Sequence, residues 1–271
     1  MSLFVFYPVL SALKNSFLSI NLLRPDDIKF VGLANYQLLF SDDMVLHAMR
    51  NSLCYYILSV SAEIAGGLLI ALALRQKSRY RGVLLGIIIL PWALPPVVNG
   101  VIWKWIFDPS SGLLSDLLLK MGIIQQLHIW WASPNISLSF VTVVHIWKMI
   151  PLIALIMLAQ LLTIPGELYE AAIIDGANII QVFWHITLPL LKPALIIALA
   201  QGTIYSLQLF DEAYVLTGSA LDTRSILLEN YLIAFRQLKL SAGMALSLVI
   251  TIVSIGLCAG YILLGKESER T

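Results

Sequence analysis

Charge is the scarce commodity in this sequence. Only 12% of its 271 residues are Asp, Glu, Lys or Arg, against 59% hydrophobic residues and a mean hydropathy of +0.87. A soluble domain wraps its core in about 25% charged residues, so the composition excludes one and specifies a polytopic membrane protein. The net charge of +1 argues against a nucleic-acid partner, because phosphate binding needs a basic surplus gathered on one face. Cysteine is nearly absent. Cys54 and Cys258 both fall in apolar runs and read as small buried hydrophobes, not a disulfide. The four histidines, His47, His128, His145 and His185, lack metal-ligand spacing, and no Ser–His or paired-carboxylate arrangement shares a helix face. The sequence therefore points to neither a metal site nor an intramembrane enzyme. The pairs Asp26–Asp27 and Asp42–Asp43 lack a third ligand nearby and read as solvated acids. Inverted repeats and paired mid-membrane charges are also missing, which disfavours a self-sufficient secondary transporter.

Six apolar runs are present, at about 2–23, 52–74, 82–103, 137–164, 193–216 and 241–264. Each is long enough to span at about twenty residues. The first has neither a basic flank before it nor a small-residue cleavage site before Arg24, so it reads as a span and not a signal peptide. Arg75, Lys77, Arg79 and Arg81 follow the second run with no acid among them. By the positive-inside rule that loop is cytoplasmic, and parity places both termini and the 165–193 loop on the same side. The third run contains Pro91, Pro95 and Pro96. These prolines predict a broken helix whose freed backbone groups need a neighbour or cavity, as expected of a moving or pore-lining part.

The loop at 165–193 carries chemistry that lipid would not tolerate. Pro165, Gly166, Glu167 and Glu170 make a helix start with acids in its first turn. Gly176 supplies a stop, and Ile179, Ile180, Phe183 and Ile186 resume a helical period. Pro189 and Pro193 are expected to break that second helix. Two short helices joined at a glycine elbow follow from this reading.

These residues also resemble a known loop. Glu170, Ala171, Ala172, Asp175, Gly176, Ala177, Phe183, Ile186, Leu188, Pro189 and Pro193 match the signature of permease subunits of binding-protein-dependent ABC importers. Further likenesses to the carbohydrate-uptake branch, the maltose and glycerol-3-phosphate permeases, lie in Tyr7, Pro8, Phe17, the 30–36 segment and the 90–98 segment. Such permeases carry a longer cytoplasmic N-terminus than the one here. The resemblance implies an all-α type I ABC importer permease fold with six transmembrane helices and cytoplasmic coupling helices. It also implies a second homologous permease subunit, an ABC ATPase dimer docking near Glu170, an extracytoplasmic solute-binding protein and a bacterial inner-membrane location. ATP and Mg would then be held by the partner ATPase, with no cofactor on this chain. Gly260, Gly265 and Lys266 approximate a phosphate loop, but Glu267 stands where Ser or Thr is required and no strand precedes it. One permease domain is expected over 1–271, with a core of about 52–264.

The remaining polar residues have two readings each. Glu63, near mid-membrane, must face protein or water and reads first as an interhelical residue. Lys148 is either a substrate ligand or a snorkelling or paired lysine. Gln201, Tyr205 and Gln208 recur at i, i+4 and i+7, and Glu212 is expected to continue their face. Such a row suits sugar hydroxyls, and it equally suits interhelical hydrogen bonding. With Lys148 the only cation at depth, a neutral sugar, glycoside or polyol is preferred over glycerol phosphate. Gly256 and Gly260 form a small-residue packing face, Trp103, Lys104 and Trp105 an interface anchor. The 113–121 stretch and the Trp130–Trp131 pair are expected to lie on the membrane surface. A short helix carrying Tyr231, Phe235 and Arg236 is predicted in the last external loop.

Overall fold

The structure is a computed structural model that describes residues 2–21, 24–76, 79–123 and 133–267. His128, Trp130 and Trp131 lie outside them. The chain opens with helix α1, Ser2–Ser16, followed by an antiparallel hairpin of β1, Leu18–Asn21, and β2, Arg24–Phe30, in which Leu18 faces Phe30. Helix α2, Ala34–Phe40, leads into α3, Asp43–Arg75. Of the expected first span, Ser2–Ser16 is helix and Leu18–Asn21 is strand, and the loop expected after it holds β2, α2 and the start of α3. Asn35 fixes this reversal, donating to the carbonyls of Ser16 and Leu18 at 2.7 and 2.8 Å.

Next come α4, Arg81–Ala93, and α5, Pro96–Ile106, bent by 94° at a two-residue break. Pro95 and Pro96 remove two donors at that point, so the expected broken helix is what forms. Helices α6, Leu113–Lys120, and α7, Pro134–Leu161, follow; α7 runs straight through Pro151. Then come α8, Gly166–Ile174, and a 29-residue rod from Ile179 to Leu207, made of α9, Ile179–Val182, a π turn over Phe183–Thr187 and α10, Leu188–Leu207. Pro189 and Pro193 do not break it. Pro189 sits in the first turn of α10, and the π turn closes on Leu188, whose N–H donates to the Phe183 carbonyl. The widened turn thus accommodates the proline beyond it.

The fifth run ends earlier than expected. Helix α10 stops at Leu207, the chain turns at 208–210, and α11, Asp211–Thr217, is separate. Helix α12, Ile226–Tyr231, with a π turn over Leu232–Arg236, precedes the last helix α13, Leu240–Glu267. Among the described residues α3, α7, the rod and α13 are each long and apolar enough to cross a membrane, and so is the bent α4–α5 pair if it is taken as one broken span.

The core lies where α3, α7 and α10 meet, with Ala71, Ile153, Met157, Leu161, Leu191 and Ala198 buried together. Small residues set the approach. A Cβ on Gly67 would stand 2.7 Å from Ile153 Cγ2, so α3 and α7 touch nearly backbone to backbone there. Gly256 and Gly260 are different: an added Cβ on either meets nothing within 4 Å. That predicted packing face is open within this chain.

Candidate functional site

Two regions carry the polar chemistry. At the elbow between α8 and α9, Asp175 caps α8 and Gly176 adopts φ +77°, where its missing Cβ removes the strain. The Ala177 N–H donates to Ala172 O at 2.9 Å and the Gly176 N–H to Ile173 O at 3.0 Å, the paired bonds of a Schellman stop. Helix α9 then begins with a reciprocal capping box between Asn178 and Gln181, at 2.8 and 2.9 Å. Glu170, Ala171, Asp175 and Gly176 are exposed, and Ala172 and Ala177 are half-buried.

Sequence reasoning placed this elbow and missed two of its features. Ile173, Ile174, Ile179 and Ile180, on either side of Gly176 in the chain, are 68–87% exposed, and Glu167, Glu170 and Asp175 on the same stretch are exposed with them. An exposed apolar stretch of that kind marks a protein contact. The elbow is also anchored. The Arg75 guanidinium lies 3.8 Å over the Tyr169 ring, and the Tyr169 hydroxyl meets Thr187 Oγ1 at 3.2 Å. Helix α8 is thereby tied to the end of α3 and to the rod.

Inside the bundle, Glu63 is fully buried, with Oε1 3.6 Å from His145 Nε2. Gly202 makes room for it, since a Cβ there would lie 3.0 Å from Glu63 Oε2. One turn along α7, Lys148 Nζ stands 3.7 Å from Glu212 Oε1, both side chains buried. Asn99, in the first turn after the α4–α5 bend, is buried and donates to Val144 O at 3.5 Å. Of the two readings for Lys148, the geometry carries the paired one. Glu212 does not extend the α10 row: it sits on α11 and turns inward, so that expectation is corrected. The helix break at Gln208 is the reason.

The row itself holds through the end of α10. Tyr205 is 39% exposed, Gln208 is exposed as the terminal cap and Gln201 is half-buried, while Gly202, Thr203, Ser206 and Leu207 pack inward. Beyond Gln208 is a run of rings, of which only Tyr231 and Phe235 were expected. Phe210 stacks on Tyr214 with centroids 5.7 Å apart, meets Tyr231 edge-on at 5.3 Å, and Tyr231 meets Phe235 at 5.3 Å. Phe210 and Tyr214 went unnoticed because the chain folds back between α11 and α12, bringing residues twenty apart into contact.

Residues 63–264 match the family model described as binding-protein-dependent transport system inner membrane component. The sulfoquinovosyl glycerol transport system permease protein SmoG of Agrobacterium fabrum is 35% identical over 266 residues, covering 97% of this chain and 85% of that protein. The trehalose/maltose transport system permease protein MalF of Thermococcus litoralis is 35% identical over 241 residues, covering 88% and 80%. A crystal structure of a bacterial ABC transporter involved in the import of the acidic polysaccharide alginate superposes with a TM-score of 0.84 at 20% identity, over 98% of this chain and 91% of that one. At that identity the likeness establishes the fold, the type I ABC importer permease fold.

Proposed function

From the premise that this chain belongs to the family of binding-protein-dependent transport system inner membrane components, and is a sugar ABC importer permease subunit, we propose that it works as one of two homologous permeases driven by a separate ATPase dimer. The observation that carries this reading is the elbow at Gly176. Four exposed isoleucines flanked by three acids, held rigid by a Schellman stop and a capping box, form a docking knob for a partner with an apolar groove and basic residues. ATP and Mg belong to that partner. In this reading both termini and the elbow face the cytoplasm, in keeping with Arg75, Arg79 and Arg81 at the same end of α3.

The rod Ile179–Leu207 links the elbow to the polar row without a break. A push on the knob therefore moves Gln201, Tyr205 and Gln208 as one body, the two-state element that a partner's closure can bias. These three line the solute pathway, with Lys148 holding its wall through Glu212. The substrate is a glycoside delivered by an extracytoplasmic binding protein, in line with the glycosides named for the relatives. Glycerol phosphate is not favoured, since Lys148, the one cation in the inner part of the bundle among the described residues, is paired with Glu212.

Replacing Gly176→Pro or Glu170→Arg should uncouple ATP hydrolysis from uptake while membrane insertion persists. Normal uptake in both variants would refute the coupling role. A mild-detergent pull-down of the tagged chain should bring down a second permease and an ATPase; recovery of the chain alone would return attention to a secondary transporter and to Glu63.

A further inference from the structure

The ring run beyond Gln208 has a cation at its edge. Arg236 closes the π turn after α12, and its Nη2 lies 3.5 Å from the Tyr214 hydroxyl. Among the described residues no carboxylate comes within 4.0 Å of its guanidinium, Asp211 included. Tyr214, Tyr231 and Phe235 are 36%, 37% and 61% exposed, and Arg236 is exposed beside them. Leu238, two residues on, adopts φ +60°, a conformation that costs a leucine and persists only where the surroundings enforce it.

The level of this surface in the molecule is set by α3. Asn51 donates to the carbonyls of Leu221 and Arg224, Tyr55 donates to Thr223 O, and Ser225 Oγ donates to Leu209 O. These bonds hold the α11–α12 fold at the end of α3 opposite Arg75. On the permease reading that end is the extracytoplasmic one, and the rings stand there, beyond Gln208 in the chain.

Resting on the permease reading, we propose that Phe210, Tyr214, Tyr231, Phe235 and Arg236 form an entry subsite for an anionic glycoside. The exposed ring faces take the C–H side of a pyranose, and the guanidinium takes its carboxylate or sulfonate. A ring face offers an apolar, slightly negative surface that suits sugar C–H groups. The fork of donors on an unpaired Arg matches a planar anion with two oxygens. The preference for a neutral sugar rested on Lys148 as the only cation available. Lys148 is taken up by Glu212, and Arg236 is a further cation, exposed at the edge of the ring run.

The test is binding of methyl glucuronide, methyl glucoside and sodium sulfate to the chain, with whatever subunits co-purify, in phosphatidylcholine nanodiscs. We expect methyl glucuronide to bind more tightly than methyl glucoside. Arg236→Gln should weaken the glucuronide about tenfold and leave the glucoside unchanged, which also shows that the variant is folded. Tyr231→Leu should weaken both sugars about threefold or more. Equal binding of the two glycosides by the wild type, or no effect of Arg236→Gln, would overturn the proposal. So would sulfate competing as well as the glucuronide, which would mark a site for any anion. Loss of the glucuronide preference on adding phosphatidylglycerol would assign Arg236 to a lipid headgroup instead, with the same consequence. Absence of an ATPase from the preparation would count against the permease reading and leave this binding measurement intact.

Discussion

Lys148 Nζ and Glu212 Oε1 stand 3.7 Å apart with both side chains buried, joining α7 to the short helix α11. Removing one partner leaves an uncompensated buried charge, which costs about 3–5 kcal/mol, whereas replacing both with apolar groups of similar volume is often neutral. Lys148→Met and Glu212→Leu should each lower the thermal midpoint of the purified protein sharply, and the double variant should recover most of the loss. If the double variant is as unstable as the two single losses added together, the pair is not what holds α11 in place.

Glu63 and Gly202 form a second dependence. A Cβ at position 202 would sit 3.0 Å from Glu63 Oε2 and 3.4 Å from Val60 Cγ2, so Gly202→Ala forces the carboxylate to move within a packed interior. Overpacking of this kind costs about 1–3 kcal/mol. The same change made in a Glu63→Ala background should cost less, giving a coupling energy of the order of 1 kcal/mol in a double-mutant cycle of midpoints. Additive effects would show that Glu63 does not set the approach of α10 to α3.

The elbow was legible because its chemistry is local. Gly176 stops a helix by its own backbone freedom, and Asn178 caps the next helix with a partner three residues on. Glu63 was legible as a cost that some neighbour had to meet, but its neighbours His145 and Gly202 come from helices far along the chain. Helix ends were read less well. Pro189 and Pro193 looked like breakers because the π turn at 183–187, which accommodates them, has no residue signature of its own. The first apolar run read as helix to its end because strand and helix residues are equally apolar there. Its reversal depends on Asn35, nineteen residues beyond Ser16. The ring run needed the α11–α12 fold to bring Phe210 to Tyr231.

Asp108 gives a prediction in pH. Its Oδ1 accepts from the Ser110 and Ser111 N–H groups at 2.9 and 2.8 Å and from their hydroxyls at 2.7 and 3.1 Å. The Ser110 hydroxyl bond first, with the others behind it, pulls the carboxyl down from 3.8 to about 2. A folded value below the ordinary one means that the charged form stabilises the turn after α5. That contribution is complete above about pH 4 and is lost as pH falls toward 2. Pepsin cleavage next to Phe107 should therefore be slower in the wild type than in Asp108→Ala at pH 4, and the two rates should converge at pH 2. A constant ratio across that range would mean the turn does not depend on the charge.

Gly67 and Gly256 separate packing within the chain from packing against a partner. At Gly67 a Cβ would meet Ile153 Cγ2 at 2.7 Å and the Ala154 backbone nitrogen at 3.0 Å. Backbone cannot give way as a flexible side chain can, so Gly67→Ala should destabilise the isolated subunit by about 1–3 kcal/mol. At Gly256 an added Cβ meets nothing within 4 Å, and in a helix interior Ala is favoured over Gly by about 1 kcal/mol. Gly256→Ala should therefore leave the isolated subunit as stable as before or slightly more so. Gly256→Leu tests what covers this face of α13 in the assembled transporter. If a second permease packs there, the larger side chain should reduce co-purification of that subunit while the midpoint of the isolated chain holds. Unchanged co-purification would leave the face to lipid, for which a glycine is no better suited than a leucine.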